Sequence, residues 1–274
     1  MEIRTIVVAS DADPVARRLL DRWGTLAPTG VVADGAGLRR LAPRTALWRR
    51  PGPHIHDDNL DSRLPPEVVR TRPVLVFPSI HKSERDVESL TVHPLGNPGP
   101  TAEVGGRPRT LNETAPRRMS ATLRRLAELG RSLGLPATFE ATHHGPYLGL
   151  PAFFVEIGYG RRPGPTDEAV RGLATLLTEE VDEDPRDRVA VGAGGGHYAP
   201  HFTDLVLKRR WSFGHLLSRH ALAEIDRPTA VAAWSTTPGA EGIVFARAED
   251  AESGPFAGLA GRLSDSHAPR RESD

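Results

Sequence analysis

Apolar segments of strand length alternate along the chain with segments of helical periodicity, and this alternation limits the possible folds more than any other feature. Residues 3–9 are apolar and rich in β-branched side chains, which predicts a buried strand. Asp13 and Pro14 follow as a helix N-cap and first helical position, and Gly24 ends the helix that they begin. Such alternation predicts an α/β fold, with a largely parallel or mixed sheet and helices on both faces.

The same patterns predict most of the remaining elements. Further strands are predicted at residues 74–77, 138–142, 152–157 and 189–191. Further helices are predicted from the Thr114–Pro116 region to Gly134, over residues 166–181 with Thr166 as N-cap, and over residues 213–222. Because the apolar pattern fades near the end, we expect residues 1–250 to form one catalytic domain and residues 251–274 a flexible tail.

Two blocks of the sequence place histidine beside glycine and proline: Glu140-Ala-Thr-His143-His144-Gly145-Pro146 and Gly194-Gly195-Gly196-His197-Tyr198-Ala-Pro200. Glycine and proline fix unusual backbone geometry, and imidazole supplies metal ligation or proton transfer near neutral pH. A third block, Ser79-Ile-His81-Lys82-Ser83-Glu84, has a similar character. Each block follows a predicted strand, and open α/β sheets bind ligands beyond the carboxyl ends of their strands. We therefore expect the blocks to meet at that edge as one active site.

Each block also has a purely structural interpretation. His143 and His144 are either a metal ligand and a general acid/base, or one catalytic histidine and one core histidine. The glycines between residues 192 and 196 either offer backbone N–H groups to a phosphate or form a tight turn. His81, three residues before Glu84, suits a metal ion, but surface salt bridges also explain such spacing.

Other polar residues add weaker indications. Glu140 and Glu156 interrupt apolar strands, and a buried carboxylate needs a metal ion, a histidine or an arginine beside it. His93, at the end of a short strand, is a candidate for a further histidine near the site. His54 and His56 have a spacing that suits a metal ion, although their charged surroundings favour a solvated loop.

The composition narrows the chemistry. The chain has no cysteine, which excludes disulfides and thiolate zinc sites, so a metal ion must bind His, Asp, Glu or water. The formal net charge is zero, so no bulk field favours a polyanionic partner. No apolar run reaches the roughly 18 residues of a membrane span, and no signal-peptide pattern is visible. We expect a cytoplasmic protein that is a monomer and does not bind membranes.

In these blocks the sequence resembles the archaeal and plant D-aminoacyl-tRNA deacylase family. The resemblance spans residues 3–245 and rests on five motifs in family order: Ser79-Ile-His-Lys-Ser-Glu84, His93-Pro-Leu-Gly-Asn97, Glu140-Ala-Thr-His-His-Gly-Pro146, Phe154-Val-Glu-Ile-Gly158 and Gly194-Gly-Gly-His-Tyr-Ala-Pro200. The chain departs from the family at Tyr159, where members usually have serine.

The resemblance implies hydrolysis of the ester that joins a D-amino acid to tRNA, a proofreading reaction in translation. It implies zinc as the cofactor, tRNA carrying a D-amino acid as the partner, and a fold similar to phosphorylase and peptidyl-tRNA hydrolase architectures. The candidate metal ligands are then His81, Glu84, His143, His144 and His197. The candidate catalytic groups are His143, His144, His197 and Glu140. The candidate substrate contacts are Gly194, Gly195, Gly196, Tyr198 and Pro146.

Since cysteine is absent and no serine has a nucleophile-elbow context, hydrolysis by a zinc-activated water is favoured over an acyl-enzyme mechanism.

Two other functions stay open from the sequence. A metal-dependent hydrolase of a small ester or amide would have the same residues, and would differ only in not requiring the tRNA body. A non-catalytic RNA- or nucleotide-binding module would keep the glycine loop and the arginines but would not need clustered imidazoles.

Overall fold

The computed structural model of the chain describes residues 2–33, 35–82, 88–159 and 165–247, together with Asp250 and Phe256. Within them the strands are β1 (Thr5–Ser10), β2 (Pro28–Ala33), β3 (Ala36–Ala42), β4 (Thr45–Arg50), β5 (Val74–Lys82), β6 (Ser89–Pro94), β7 (Gly96–Asn97), β8 (Thr110–Leu111), β9 (Ala137–Phe139), β10 (Ala152–Tyr159), β11 (Arg188–Ala193), β12 (Trp211–Leu217) and β13 (Ala240–Phe245). The α-helices are α1 (Pro14–Trp23), α2 (Pro66–Val69), α3 (Pro116–Leu133), α4 (Asp167–Thr178), α5 (Pro200–Lys208), α6 (Arg219–Glu224) and α7 (Arg227–Ser235). Two 3₁₀ turns cover His54–His56 and Leu60–Arg63.

A mixed sheet of eight strands, in the order β2-β3-β4-β1-β5-β10-β6-β9, forms the centre of the molecule. Strands β4, β1, β5 and β10 are parallel neighbours, β6 is antiparallel to β10, and β9 is parallel to β6. A smaller parallel sheet has the order β12-β11-β13. The predicted α/β fold with a mixed sheet is confirmed.

The two faces of the large sheet bury different layers. Helices α1, α3 and α4 pack on one face, and the core beneath them extends to Phe202 of α5 and Phe213 of the small sheet. The other face packs against the short helical segments and the loop that carries Leu148 and Leu150. No helix among the described residues is long and apolar enough to cross a membrane.

Helix ends follow the predicted capping residues. The Asp13 carboxylate accepts the backbone N–H groups of Val15 and Ala16 at 2.9 and 2.8 Å, and Gly24 caps α1 with φ 58°. Thr166 accepts from Ala169 N–H at 3.2 Å at the start of α4. Gly134 ends α3 in the left-handed conformation, where glycine has no steric penalty.

Three predictions about local structure are wrong, and the first is the strand at residues 138–142, because β9 ends at Phe139. Residues 213–222 do not form one helix, because β12 occupies Trp211–Leu217 and α6 begins only at Arg219. Every residue of β12 is buried, so neither face of the strand is exposed to solvent. The strand therefore lacks the apolar–polar alternation that would distinguish it from a helix. Likewise β5 does not end at residue 77 but continues to Lys82, so that Ser79 and His81 lie within the strand.

The predicted flexible tail at residues 251–274 lies outside the described residues, apart from Phe256. That side chain is fully buried and packs against Phe245, with ring centroids 6.1 Å apart.

Candidate functional site

One face of the large sheet changes from apolar to polar along its central strands. On β5, Phe77 is followed at every second residue by Ser79 and His81, which therefore share its face. Across the sheet, Glu156 of β10 is in register with Ser79 on one side and with Thr91 of β6 on the other. The side chains that follow on this face are all polar: Ser79, His81, Glu156 and Thr91. The sequence thus places a polar patch beside the apolar pair Phe77 and Phe154 on one face of the sheet.

His93 adds an imidazole to this patch. It is fully buried, lies opposite Phe154 in register, and stacks on the Phe154 ring at 5.0 Å and 3°. Its Nδ1 lies 3.2 Å from the carbonyl oxygen of Pro94, and its Nε2 lies 3.7 Å from Oε2 of Glu156.

The segment after β9 carries the tandem histidines over the same patch. Glu140 N–H donates to Val92 O at 3.0 Å, and Gly96 N–H donates to His144 O at 2.9 Å. His144 has φ 43°, a left-handed conformation that turns the chain. The turn brings the rings of His143 and His144 to the same side, with centroids 4.4 Å apart. Both histidines therefore join the cluster, whereas in a regular strand their side chains would diverge.

Close backbone packing fixes this turn from outside. A Cβ atom added at Gly145 would lie 2.2 Å from Gly106 N and 2.8 Å from Ile55 O. Only glycine allows such an approach. The Asp58 carboxylate then accepts N–H groups from both Gly106 and Tyr147, at 3.2 and 2.8 Å.

The glycine–histidine block reaches the patch from the small sheet. Ala141 N–H donates to His197 O at 2.8 Å, and Glu140 and Tyr198 form an isolated antiparallel bridge. The expectation that the blocks meet at a common carboxyl edge is wrong, because β9 runs opposite to β5 and β11 belongs to another sheet. They meet instead over a face of the large sheet.

Glu140 is the centre of the assembled cluster. Its side chain is fully buried, and three imidazoles surround its carboxylate. Nε2 of His197 lies 3.0 Å from Oε2, Nδ1 of His81 lies 3.3 Å from Oε1, and Nε2 of His143 lies 3.8 Å from Oε2. These distances are short, but none of the contacts has hydrogen-bond geometry, so neither oxygen has a hydrogen-bond partner among the described residues. A buried carboxylate with unused acceptors is typical of a site that binds a cation.

Three histidines of the cluster have their tautomers fixed by backbone carbonyls. Nδ1 of His143 lies 2.8 Å from Ala141 O, and Nδ1 of His144 lies 2.7 Å from Gly145 O. His93 makes the corresponding contact to Pro94 O. Because a carbonyl oxygen only accepts, each Nδ1 carries the proton and each Nε2 of the neutral ring is left with a free lone pair.

The charges of the rings differ with their surroundings. Burial and, to a lesser extent, the neighbouring His93 lower the pKa of His144 to about 3. Burial also lowers the pKa of His143 well below its ordinary value, with the adjacent imidazoles acting in the same direction. The tandem histidines are therefore neutral near pH 7.

The pKa shift has the opposite direction for His81 and His93, the two histidines beside Glu156. Burial lowers the pKa of His81 and of His93, but the close approach of the Glu156 carboxylate and the negative charges of Glu156 and Glu140 outweigh burial and raise both pKa values. In return, the two imidazoles hold the pKa of the Glu156 carboxyl low in spite of its burial.

The glycine loop is partly engaged within the protein. Gly194 N–H donates to Leu217 O at 2.8 Å, so that this amide is not free to bind an anion. Gly194 and Gly195 have positive φ values of 96° and 81°, whereas Gly196 is exposed and does not. Beyond the loop, the Tyr198 hydroxyl lies 3.0 Å from Nε2 of His81.

The predicted site residues come together with few exceptions. The structure unites His81, Glu140, His143, His144, His197 and Tyr198. Glu84 lies outside the described residues. Pro146 is buried, and its carbonyl accepts from Asn112 Nδ2 at 2.8 Å.

His54 and His56 were predicted to lie on a solvated loop. His54 is instead buried against Phe77 and Phe154, whereas His56 is exposed. A solvated loop is therefore wrong for His54, because its 3₁₀ turn packs on the apolar part of the sheet.

His93 is the site residue that the sequence only suggested. Its signal was the alternation of Ser89, Thr91 and His93 with apolar residues on a strand that is buried throughout. A polar alternation inside a fully buried strand points to a functional patch rather than to a solvent face.

The donor set fits zinc. His93, His143 and His144 present ligand atoms within 4.8 Å of one another, and so do His81, Glu140 and His197. Imidazole nitrogens and a carboxylate are ordinary zinc ligands, and three histidines are a known catalytic set. In the first group the carbonyl contacts hold a proton on Nδ1, so that Nε2 of each ring in its neutral form would be the ligand atom, and a metal ion would displace the Nε2 proton of His93.

Comparison with known proteins points to one family. The sequence profile of the D-aminoacyl-tRNA deacylase family matches residues 70–253. The chain is 35% identical over 243 residues to a D-aminoacyl-tRNA deacylase of Thermoplasma acidophilum, a match that covers 88% of this chain and 90% of that protein. It is 36% identical over 180 residues to a D-aminoacyl-tRNA deacylase of Methanosarcina acetivorans, covering 63% and 58% of the two chains.

A solved structure of a conserved protein of unknown function superposes with a TM-score of 0.76 at 26% identity, covering 94% of both chains. The family profile, which spans the histidine–carboxylate cluster, and the two archaeal relatives lead to the same assignment. The chain belongs to the D-aminoacyl-tRNA deacylase family, whose members are enzymes.

Proposed function

We propose that this protein hydrolyses the ester of D-aminoacyl-tRNA, releasing a free D-amino acid and tRNA, and so removes D-residues before translation uses them. The observation that carries the proposal is the buried Glu140 carboxylate within 3.0–3.8 Å of three imidazoles. A structural role alone would not need so many titratable groups around one carboxylate, and a nucleotide-binding module would not need them either.

His197 is the group best placed to transfer protons. Its side chain is 49% exposed, so that water and substrate can reach it, and its Nε2 is 3.0 Å from Glu140. We assign to His197 the removal of a proton from the attacking water and its return to the ribose oxygen that leaves. The Glu140 carboxylate stabilises the imidazolium that forms between the two transfers, as a buried carboxylate does in other histidine dyads.

We assign the binding of zinc to His93, His143 and His144, with His81, Glu140 and His197 as the second group of possible ligands. Zinc held there would supply a Lewis acid that polarises the ester and acidifies water. The backbone carbonyls at Ala141, Gly145 and Pro94 keep the three rings in the tautomer that binding requires.

We place the 3′ end of the tRNA between the glycine loop and an exposed cation. Arg107 stacks its guanidinium 3.9 Å from the Tyr147 ring centroid, three residues after His144. Guanidinium and aromatic faces bind unpaired bases, and arginine also contacts phosphate. On the opposite side, Gly195 and Gly196 with Tyr198 would contact the terminal adenosine, and Pro146 would line the floor beside the histidine turn.

The test is deacylation of D-Tyr-tRNA and L-Tyr-tRNA, compared with hydrolysis of D-tyrosine methyl ester, with and without chelator. We expect rapid loss of D-Tyr-tRNA, little loss of L-Tyr-tRNA, slow hydrolysis of the free ester, and loss of activity with chelator that zinc restores. Equal rates on the tRNA ester and the free ester would favour a small-ester hydrolase. Persistence of both tRNA esters would refute the proposal.

A further inference from the structure

His215 is a fully buried histidine of β12 that is not part of the histidine–carboxylate cluster. We propose that it is a positioning residue that clamps the tandem-histidine turn, residues 142–146, from both ends. The proposal deepens the proposed function, since it rests on that turn carrying the reaction.

The first contact of His215 is at the start of the turn. Its Nδ1 lies 3.1 Å from Oγ1 of Thr142, the residue immediately before His143. The same hydroxyl accepts the Leu216 N–H at 3.0 Å, and Thr142 N–H donates to Leu216 O at 2.7 Å. Thr142 is thus attached to β12 by its backbone and by its side chain.

The second contact reaches the end of the turn. Nε2 of His215 lies 2.9 Å from the backbone carbonyl of Asn112, and the side-chain amide of Asn112 donates to Pro146 O at 2.8 Å. Asn112 N–H also donates to Leu95 O, and Leu95 forms a parallel bridge with His143. A closed ring of contacts therefore runs from His215 through Thr142, the turn, Pro146 and Asn112, and back to His215.

The directions of these hydrogen bonds are all determined. The Asn112 carbonyl only accepts, so Nε2 of His215 carries the proton. Burial lowers the pKa of His215 to about 4, so the ring is neutral and Nδ1 accepts from the Thr142 hydroxyl. Thr236, whose hydroxyl lies 3.0 Å from Nε2, uses its own proton on Ala232 O at 2.6 Å and is free to accept.

This arrangement does more than fill space in the core. A leucine or phenylalanine at position 215 would fill a similar volume, yet would remove the acceptor of the Thr142 hydroxyl proton and the Nε2–H donor to the Asn112 carbonyl. Since the imidazoles of His143 and His144 are carried by the backbone between these two attachments, loosening either one would displace the rings. Groups that orient metal ligands change metal affinity or activity by about 10- to 100-fold when they are removed.

The test compares Thr142→Val, which keeps the shape and removes the hydroxyl, with Thr142→Ser, which keeps the hydroxyl. Three quantities are measured on the full-length protein: the ¹H–¹⁵N ring signals of His143 and His144, the zinc retained against a chromophoric chelator, and kcat and KM for D-Tyr-tRNA. We expect Thr142→Val to shift both sets of ring signals, to weaken zinc retention about tenfold, and to lower kcat about tenfold at unchanged KM. Thr142→Ser should match the wild type.

Other outcomes decide against the clamp or against the reaction separately. If Thr142→Val only lowers the unfolding temperature, while ring signals, zinc retention and kcat are those of the wild type, the contact is merely structural and the proposal is overturned. If Thr142→Val does not fold, Asn112→Ala gives the same test from the Pro146 end of the turn. If the wild type does not deacylate D-Tyr-tRNA, the proposed function fails, and the ring signals still decide whether the clamp exists.

Discussion

Protonation of His215 should make folding stability depend on pH. The ring is buried and neutral in the folded protein, with a pKa of about 4, against an ordinary value of 6.5. The unfolded chain therefore binds the proton more readily than the folded one. The sign follows from linkage: the contribution of this group to the free energy of unfolding is complete above pH 6.5 and is lost as the pH falls towards 4.

The magnitude follows from the two pKa values. Between pH 7 and pH 5 the lost stability amounts to about 2 kcal/mol for this single group. Screening by solvent does not reduce this free energy, because His215 has no exposed surface. Its hydrogen-bond partners Thr142, Asn112 and Thr236 are all uncharged, so no neighbouring charge among them complicates the expectation.

Urea unfolding at pH 7 and pH 5 measures this loss for the wild type and for His215→Gln. Other buried histidines contribute equally to both proteins, so the variant should lose about 2 kcal/mol less than the wild type over that interval. His220→Gln removes an exposed histidine and serves as the control, with the pH dependence of the wild type. Equal losses in the wild type and in His215→Gln would show that His215 is not a buried neutral ring.

Three further predictions concern the site itself. His143→Ala and His144→Ala should each lower kcat by at least about 100-fold with the fold intact, measured by single-turnover deacylation; near-normal activity would assign that ring to packing. Gly196→Ala should raise KM at unchanged kcat if the glycine loop contacts the substrate, and Gly196 is the suitable position because its φ is not positive, unlike those of Gly194 and Gly195; an unaltered KM would show that the loop is only a turn. Arg107→Gln should weaken the binding of uncharged tRNA, measured by filter binding, and reduce its salt dependence, whereas Arg107→Lys should keep most of the salt dependence. Unchanged binding in both variants would show that the tRNA binds elsewhere on the protein.

The sequence predicted the parts of the fold that local chemistry determines. The cap of α1 at Asp13 and the stop of α3 at Gly134 follow from hydrogen bonding and backbone freedom within a few residues. The buried strand β12 was predicted as a helix, because a short apolar run has no period that separates the two. Its identity depends on pairing with β11, which local sequence does not encode.

The candidate site was predictable in membership but not in arrangement. Glycine and proline around His143 and His197 indicated unusual backbone, and the blocks indeed meet. Their meeting over a sheet face depends on the antiparallel insertion of β6 and β9, a long-range feature of the topology. The clamp by His215 was invisible for the same reason, since its partners are 73 and 103 residues away in sequence.

We propose that hydrolysis of the D-aminoacyl ester depends on the Glu140 carboxylate at the centre of the imidazole cluster. The most direct test is single-turnover hydrolysis of matched D-Tyr-tRNA and L-Tyr-tRNA by the wild type and by Glu140→Gln, with Glu103→Gln as an exposed control. We expect that the wild type and Glu103→Gln hydrolyse the D-form selectively, and that Glu140→Gln is folded but slower by at least about 100-fold. A folded Glu140→Gln protein that hydrolyses D-Tyr-tRNA at the wild-type rate would contradict this proposal.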